Sequence, residues 1–170
     1  MTTEERIAII RDKANRQKQA EIEKANSEHT ERLALRKEVA TLTDRIQDII
    51  ALANECELND IKIPRDIHYR CAAKKYGYDA EFIAEGINHH TGLYHPWGER
   101  QKGKYNYLAI DNGGACGKWD FLTNGDISIS VYEDDHSKTD EPRIYDMKKF
   151  INEFPVFETA FYNWIDSLQQ

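Results

Sequence analysis

Residues 4–57 contain no proline, no glycine and no aromatic side chain. Proline and glycine are the strongest helix breakers, so no turn is written into this stretch. Aromatic rings carry much of the area that a core buries, so the stretch is not a globule by itself. It is filled instead by Glu, Lys, Arg, Gln and Ala, all strong helix formers. A continuous helix of this length reaches roughly 80 Å at 1.5 Å per residue. No isolated domain covers one helix of that length, so it must pair with something.

Other absences narrow the class of protein. The three cysteines, Cys56, Cys71 and Cys116, are odd in number and irregular in spacing, and no Cys-x-x-Cys pair occurs. That pattern points to free thiols in a reducing cytoplasmic setting and not to a disulfide scaffold. No apolar run approaches the ~20 residues of a membrane span. The Met1-Thr-Thr-Glu-Glu-Arg6 start lacks the basic and apolar regions of a secretory signal. Neither a P-loop nor a Gly-x-Gly-x-x-Gly fingerprint occurs, and no nucleotide cofactor is expected. The formal net charge of −7 excludes non-specific coating of nucleic acid by the whole surface.

What is present begins with a seam. Leu35, Leu42, Ile49 and Cys56 alternate with Val39, Ile46 and Ala53 at steps of four and three, which is a heptad pattern with β-branched residues at one core position. Leu35, Val39, Leu42, Ile46 and Ile49 are therefore assigned to oligomerisation, as the interface of a homodimer. Packing of residues 30–57 on the chain's own domain is the alternative. The first half of the segment is weaker. Ile7, Ile10 and Ala14 start a stripe, Ile22 and Ala25 continue it in a shifted phase, and Lys18 and Glu21 occupy seam positions. Asn26-Ser27 and Thr30 are candidate caps for a break near residue 27.

Asn59-Asp60 and Pro64 end the helical segment, which gives a coiled-coil arm over 1–58 and a compact domain over 59–170. Residues 66–76 read as a short helix, and 81–88 and 105–110 as strands. Residues 118–123 and 126–132 read as a hairpin. In it Trp119, Phe121 and Thr123 alternate with polar neighbours, Asn124-Gly125 supplies a tight turn, and Ile127, Ile129 and Val131 alternate with serines. After an acidic loop over 133–141, residues 144–154 form a helix bearing Phe150, Ile151 and Phe154. Pro155 separates it from a second helix bearing Phe157, Phe161, Trp164, Ile165 and Leu168. The fold class is α+β: a long N-terminal helix, then a small antiparallel sheet covered on one face by C-terminal helices.

Three groups of residues are candidates for chemistry or binding. His68, His89, His90 and His95 lack the spacing of a four-ligand metal site, and the ordinary reading is polar residues at loops and strand ends. Cys116 lies among Gly113, Gly114 and Gly117, where a thiol on a tight turn with a histidine base would make a hydrolase; the same glycines also serve an ordinary connection between strands. The third group is electrostatic. Residues 61–110 carry eight basic and five acidic side chains, whereas residues 111–170 carry five basic and twelve acidic ones. Arg70, Lys74, Lys75, Tyr76, Trp97, Arg100, Lys102 and Lys104 combine cations with aromatic faces, as a nucleic-acid strand or an acidic protein surface requires. The plain alternative is a dipolar solvated surface with the tyrosines partly in the core. The acidic run Glu133-Asp134-Asp135, with Asp140 and Glu141, raises the idea of a mimic of a phosphate backbone, but its spacing is irregular.

The run Gly113-Gly-Ala-Cys-Gly-Lys-Trp-Asp-Phe121, the Asn-Gly hairpin, Asp146-Met-Lys-Lys-Phe150 and Glu153-Phe…Phe157-Glu…Phe161-Tyr162 resemble small accessory proteins of phages and integrative elements of Gram-positive gut bacteria. The resemblance covers the C-terminal part of the chain and assigns no residue a role. It implies a setting in which short acidic proteins act as accessory factors, among them anti-CRISPR inhibitors of host defence nucleases. The function expected is thus a dimeric, non-enzymatic binding protein with a nuclease or nucleoprotein partner. A Cys/His-based or metal-dependent hydrolase and a nucleic-acid-binding protein using 62–104 are the alternatives.

Overall fold

A computed structural model describes residues 1–64, 67, 90–94, 102–111, 119–124, 129–132, 138–139 and 142–170. The expected helix at 66–76, strand at 81–88 and acidic loop at 133–141 lie outside the described residues, apart from Ile67 and from Lys138–Thr139, which form a short strand where a loop was expected.

The proline- and glycine-free segment forms two consecutive helices, α1 (Thr3–Ala40) and α2 (Thr43–Leu58). The helix runs unbroken through residue 27. There Thr30 does not cap a new helix but donates its hydroxyl to the carbonyl of Asn26, one turn back. The irregularity falls instead at Thr41-Leu42. The Thr41 hydroxyl donates to the Glu38 carbonyl at 2.6 Å, and the Leu42 amide tightens onto Val39. Both residues stay in the right-handed helical region, so the seam Leu35-Val39-Leu42-Ile46 crosses the junction in phase. The predicted stop at Asn59-Asp60 is present. Asp60 has φ +59, its amide bonds to Glu57 and that of Ile61 to Cys56, the two closing bonds of a Schellman motif.

The C-terminal segment is one helix, α3 (Ile144–Ser167), and Pro155 does not divide it. A proline inside a helix costs about 3 kcal/mol through a lost hydrogen bond and a steric clash. Met147, Phe150, Phe154, Phe157 and Phe161 stand at steps of three and four, and all are fully buried. Each such side chain contributes about 1.5–3 kcal/mol by burial, so the unbroken stripe outweighs the proline. Phe150 stacks on Phe154 and Phe157 on Phe161, with ring centroids 5.9 and 6.0 Å apart.

This stripe meets the N-terminal seam. Leu35, Val39, Leu42, Ile46, Ile49 and Ala53 belong to the same core as Met147 and the four phenylalanines. Lys148 pairs with Glu31, and Arg45 pairs with Glu158, so the two helical segments run in the same direction. Parallel neighbours gain nothing from opposed helix dipoles; apolar burial and these ion pairs hold them. The five residues assigned to oligomerisation are thus taken up inside the single chain. Exposure begins below residue 31: every residue from 1 to 30 is solvent-exposed. The free arm is accordingly about half the expected 1–58 segment, and residues 35–56 belong with the compact domain.

The sheet is an antiparallel meander of the described strands β1 (His90–Tyr94), β2 (Tyr107–Asp111), β3 (Trp119–Thr123), β4 (Ile129–Tyr132) and β5 (Lys138–Thr139) in sequence order. Leu93, Leu108 and Thr123 are cross-strand neighbours; the two leucines join the main core, and Thr123 is buried beside them. On the opposite face Ala109 and Leu122 are also buried, so the centre of the sheet is covered on both sides and not on one. β3 and β4 pair with Thr123 opposite Ile129 and Leu122 opposite Ser130; residues 125–128 lie outside the described residues. A turn confined to Asn124-Gly125 would set Thr123 opposite Asp126, odd positions against even. The apolar positions of both strand sequences are odd, and a one-residue slip sends one set to the wrong face. The register follows the apolar pattern and overrides the turn.

Two contacts fasten α2 to the segment that leads into β2. The Asn54 amide donates to the Tyr105 carbonyl at 2.9 Å and accepts from the Tyr105 amide at 2.6 Å, as a neighbouring strand would. Gly103 sits at φ +70, and a Cβ there would come within 2.9 Å of Leu58.

Candidate interaction surface

The arm is built to be a helix before it touches anything. Thr2 and Glu5 form a capping box: the Glu5 amide donates to the Thr2 hydroxyl at 3.2 Å, and the Thr2 amide donates to the Glu5 carboxylate at 2.6 Å. Asp12–Arg16 and Lys24–Glu28 are ion pairs one turn apart, at 2.8 and 3.9 Å. Each such pair adds only about 0.2–0.5 kcal/mol, enough to favour the helix and too little to explain why it projects bare into solvent.

Its surface is uneven. Ile7, Ile9, Ile10 and Ile22 are 43–66% exposed, an unusual number of large apolar side chains for a solvated rod. Charge is segregated along it. Arg6, Arg11, Lys13, Arg16 and Lys18 surround the single Asp12, and then Glu21, Glu23 and Glu28 surround the single Lys24. Among the described residues, Arg11, Lys18 and Glu21 have no ion-pair partner.

The basic–aromatic candidates divide. Lys102 and Lys104 are exposed, beside the turn at Gly103, and Lys102 pairs with Asp60 at the end of α2. Arg70, Lys74, Lys75, Tyr76, Trp97 and Arg100 lie outside the described residues, as do His68, His89, His95, Cys71 and Cys116. His90 opens β1. Cys56 is buried, and burial raises its thiol above the ordinary value of 9.0, which keeps it protonated. Among the described residues, no three His, Cys, Asp or Glu side chains are placed to hold a metal ion. No helix among them is long and apolar enough to cross a membrane.

The sequence reading missed a buried polar stripe on α3. Asp146, Lys149 and Glu153 are 0–3% exposed and follow the apolar stripe one residue behind it. Arg143 donates to Asp146 at 2.5 Å, and all three residues are engaged by neighbouring groups. Arg32 of α1 donates to the adjoining Pro142 carbonyl at 2.6 Å, so the first turn of α3 is tied to the root of the arm. The only sequence signal was the repeated spacing of three and four, in residue types that normally face water.

Further along, Arg45 forks onto Glu158 with contacts of 2.8 and 2.5 Å and lies 5.1 Å above the Phe154 ring. The hydrogen bond to Glu158 raises the Arg45 pKa further. Burial, with Asp48 and Glu158 nearby, pushes the Tyr162 phenol above its ordinary 10.0. These contacts fasten the helix pair.

No family model, curated protein or solved structure matches the chain.

Proposed function

We propose that this protein is a non-enzymatic binding protein that acts as a dimer. The arm joins two copies, and the basic–aromatic stretch 62–104 meets the partner. The observation that carries the reading is the arm: residues 3–30, all exposed and in regular helix, with isoleucines in solvent and unmatched charges. Helices in proteins draw most of their stability from packing one face, and the arm packs no face within its own chain. Lys102 and Lys104, exposed at the surface, support the second half of the reading. The resemblance to accessory proteins of phages and integrative elements supports the choice of partner, a host defence nuclease or its nucleoprotein complex.

The test uses a purified RNA-guided nuclease, with DNA cleavage as the readout. The full chain slows cleavage. A chain lacking residues 1–28 keeps its fold, because the core begins at Leu35, and slows cleavage less, because linked binding modules gain avidity. Replacing Lys102 and Lys104 by Glu weakens the effect in either background. Unchanged cleavage at saturating protein would refute the nuclease partner. A hydrolytic turnover that disappears on Cys116→Ala would replace the reading with an enzymatic one.

A further inference from the structure

The buried seam defines a heptad frame, and that frame can be followed backwards into the exposed arm. Stepping from Leu35 by alternating threes and fours reaches Arg32, Glu28, Ala25, Glu21, Lys18, Ala14, Arg11 and Ile7. Within the domain these positions hold the residues of the core; in the arm they hold charges separated by alanines. A lone solvated helix has no need of that order.

The order is complementary to itself in one direction only. Two arms laid antiparallel about a twofold axis between Gln19 and Ala20 bring Arg11 opposite Glu28 and Lys18 opposite Glu21, each twice by symmetry. Ala14 then faces Ala25, and a small pair lets the helices approach closely. Laid parallel and in register, the same arms set Arg11, Lys18, Glu21 and Glu28 each against its own like charge. Opposite charges that meet in one orientation, and like charges that meet in the other, favour the first. The basic half, residues 6–18, then lies along the acidic half, residues 21–28, of the second copy.

We infer that the exposed arm pairs with the arm of a second copy of this chain, antiparallel, with its twofold axis between Gln19 and Ala20. This rests on the proposed dimeric reading and gives it an interface distinct from the buried Leu35–Ile49 seam. Arg11, Lys18 and Glu21 have no ion-pair partner among the described residues, and the Lys24 contact to Glu28, at 3.9 Å, leaves that carboxylate room for Arg11 of the second copy. The two compact domains end up at opposite ends of the paired arms, with the two Leu35 positions about 45 Å apart at 1.5 Å per residue.

The test is sedimentation of the full chain over a concentration series at low ionic strength. The wild-type mass rises from 19.8 kDa toward twice that value, and added salt opposes the rise. Lys18→Glu turns two attractive pairs repulsive and weakens association roughly tenfold or more. Lys18→Glu with Glu21→Lys restores the antiparallel pairs and restores association. A parallel dimer gains nothing from that exchange, so a double variant no stronger than the single one overturns the inference. A wild-type chain that stays at 19.8 kDa throughout overturns it as well. Both substitutions lie on exposed helix, and an unchanged helical circular dichroism signal confirms that the fold is intact. The nuclease assay is read separately: a monomer that still slows cleavage removes the pairing and leaves the binding reading in place.

Discussion

Residues 3–30 and residues 35–56 share a composition of strong helix formers and are helical, yet one is bare and the other belongs to the core of the chain. The difference lies in what occupies the seam. Ile46, Ile49 and Ala53 are fully buried against the phenylalanine stripe of α3. The same phase in the arm holds Arg11, Lys18, Glu21 and Glu28, which no apolar stripe can cover without the cost of stranding charge. Helix propensity makes both halves helical, and seam chemistry decides which half is committed.

The largest test of this contrast is a matched pair of substitutions. Ile46→Ala removes a fully buried side chain and is expected to cost about 2–5 kcal/mol in urea unfolding. Ile10→Ala changes a side chain that is 66% exposed and is expected to stay within about 0.5 kcal/mol. Equal costs would erase the distinction between the two halves.

Asparagine supplies a second pair. Asn54→Ala strips two hydrogen bonds from the Tyr105 backbone and is expected to destabilise by about 1–3 kcal/mol. Asn15→Ala, on the exposed arm, is expected to be near neutral or slightly stabilising through helix propensity.

A smaller effect is pH-dependent. The fold holds the Tyr162 phenol neutral, with a pKa above 10.0, so the unfolded chain loses this proton first as pH rises. The stabilisation is therefore complete below about pH 10 and disappears as pH climbs through the raised value. Urea midpoints measured above pH 10 should fall, and Tyr162→Phe should flatten part of that fall.

The sequence made the helix, its Asn59-Asp60 stop, the seam residues and the odd-position pattern of the hairpin visible, because each is set by local propensity or strict periodicity. It left open what the seam packs against, since a heptad looks the same whether its mate lies in another chain or over a hundred residues away in the same one. The stripe Met147-Phe150-Phe154-Phe157-Phe161 was hidden because Pro155 read as a boundary; local cost was visible, and the burial that offsets it was not. Asp146, Lys149 and Glu153 were hidden for the opposite reason, as charged residues read as surface. The arm's complementarity lay in the letters all along. It became legible only once the structure showed which half of the helix was already occupied, and so which frame to extend.

Hydrogen exchange at two protein concentrations tests the central contrast most directly. Amides of residues 35–56 should exchange slowly at both concentrations, because their mate is in the same chain. Those of residues 3–30 should exchange fast when dilute and slow down when concentrated. If protection of 35–56 were lost on dilution together with that of the arm, the seam would lie between chains and the account would be wrong.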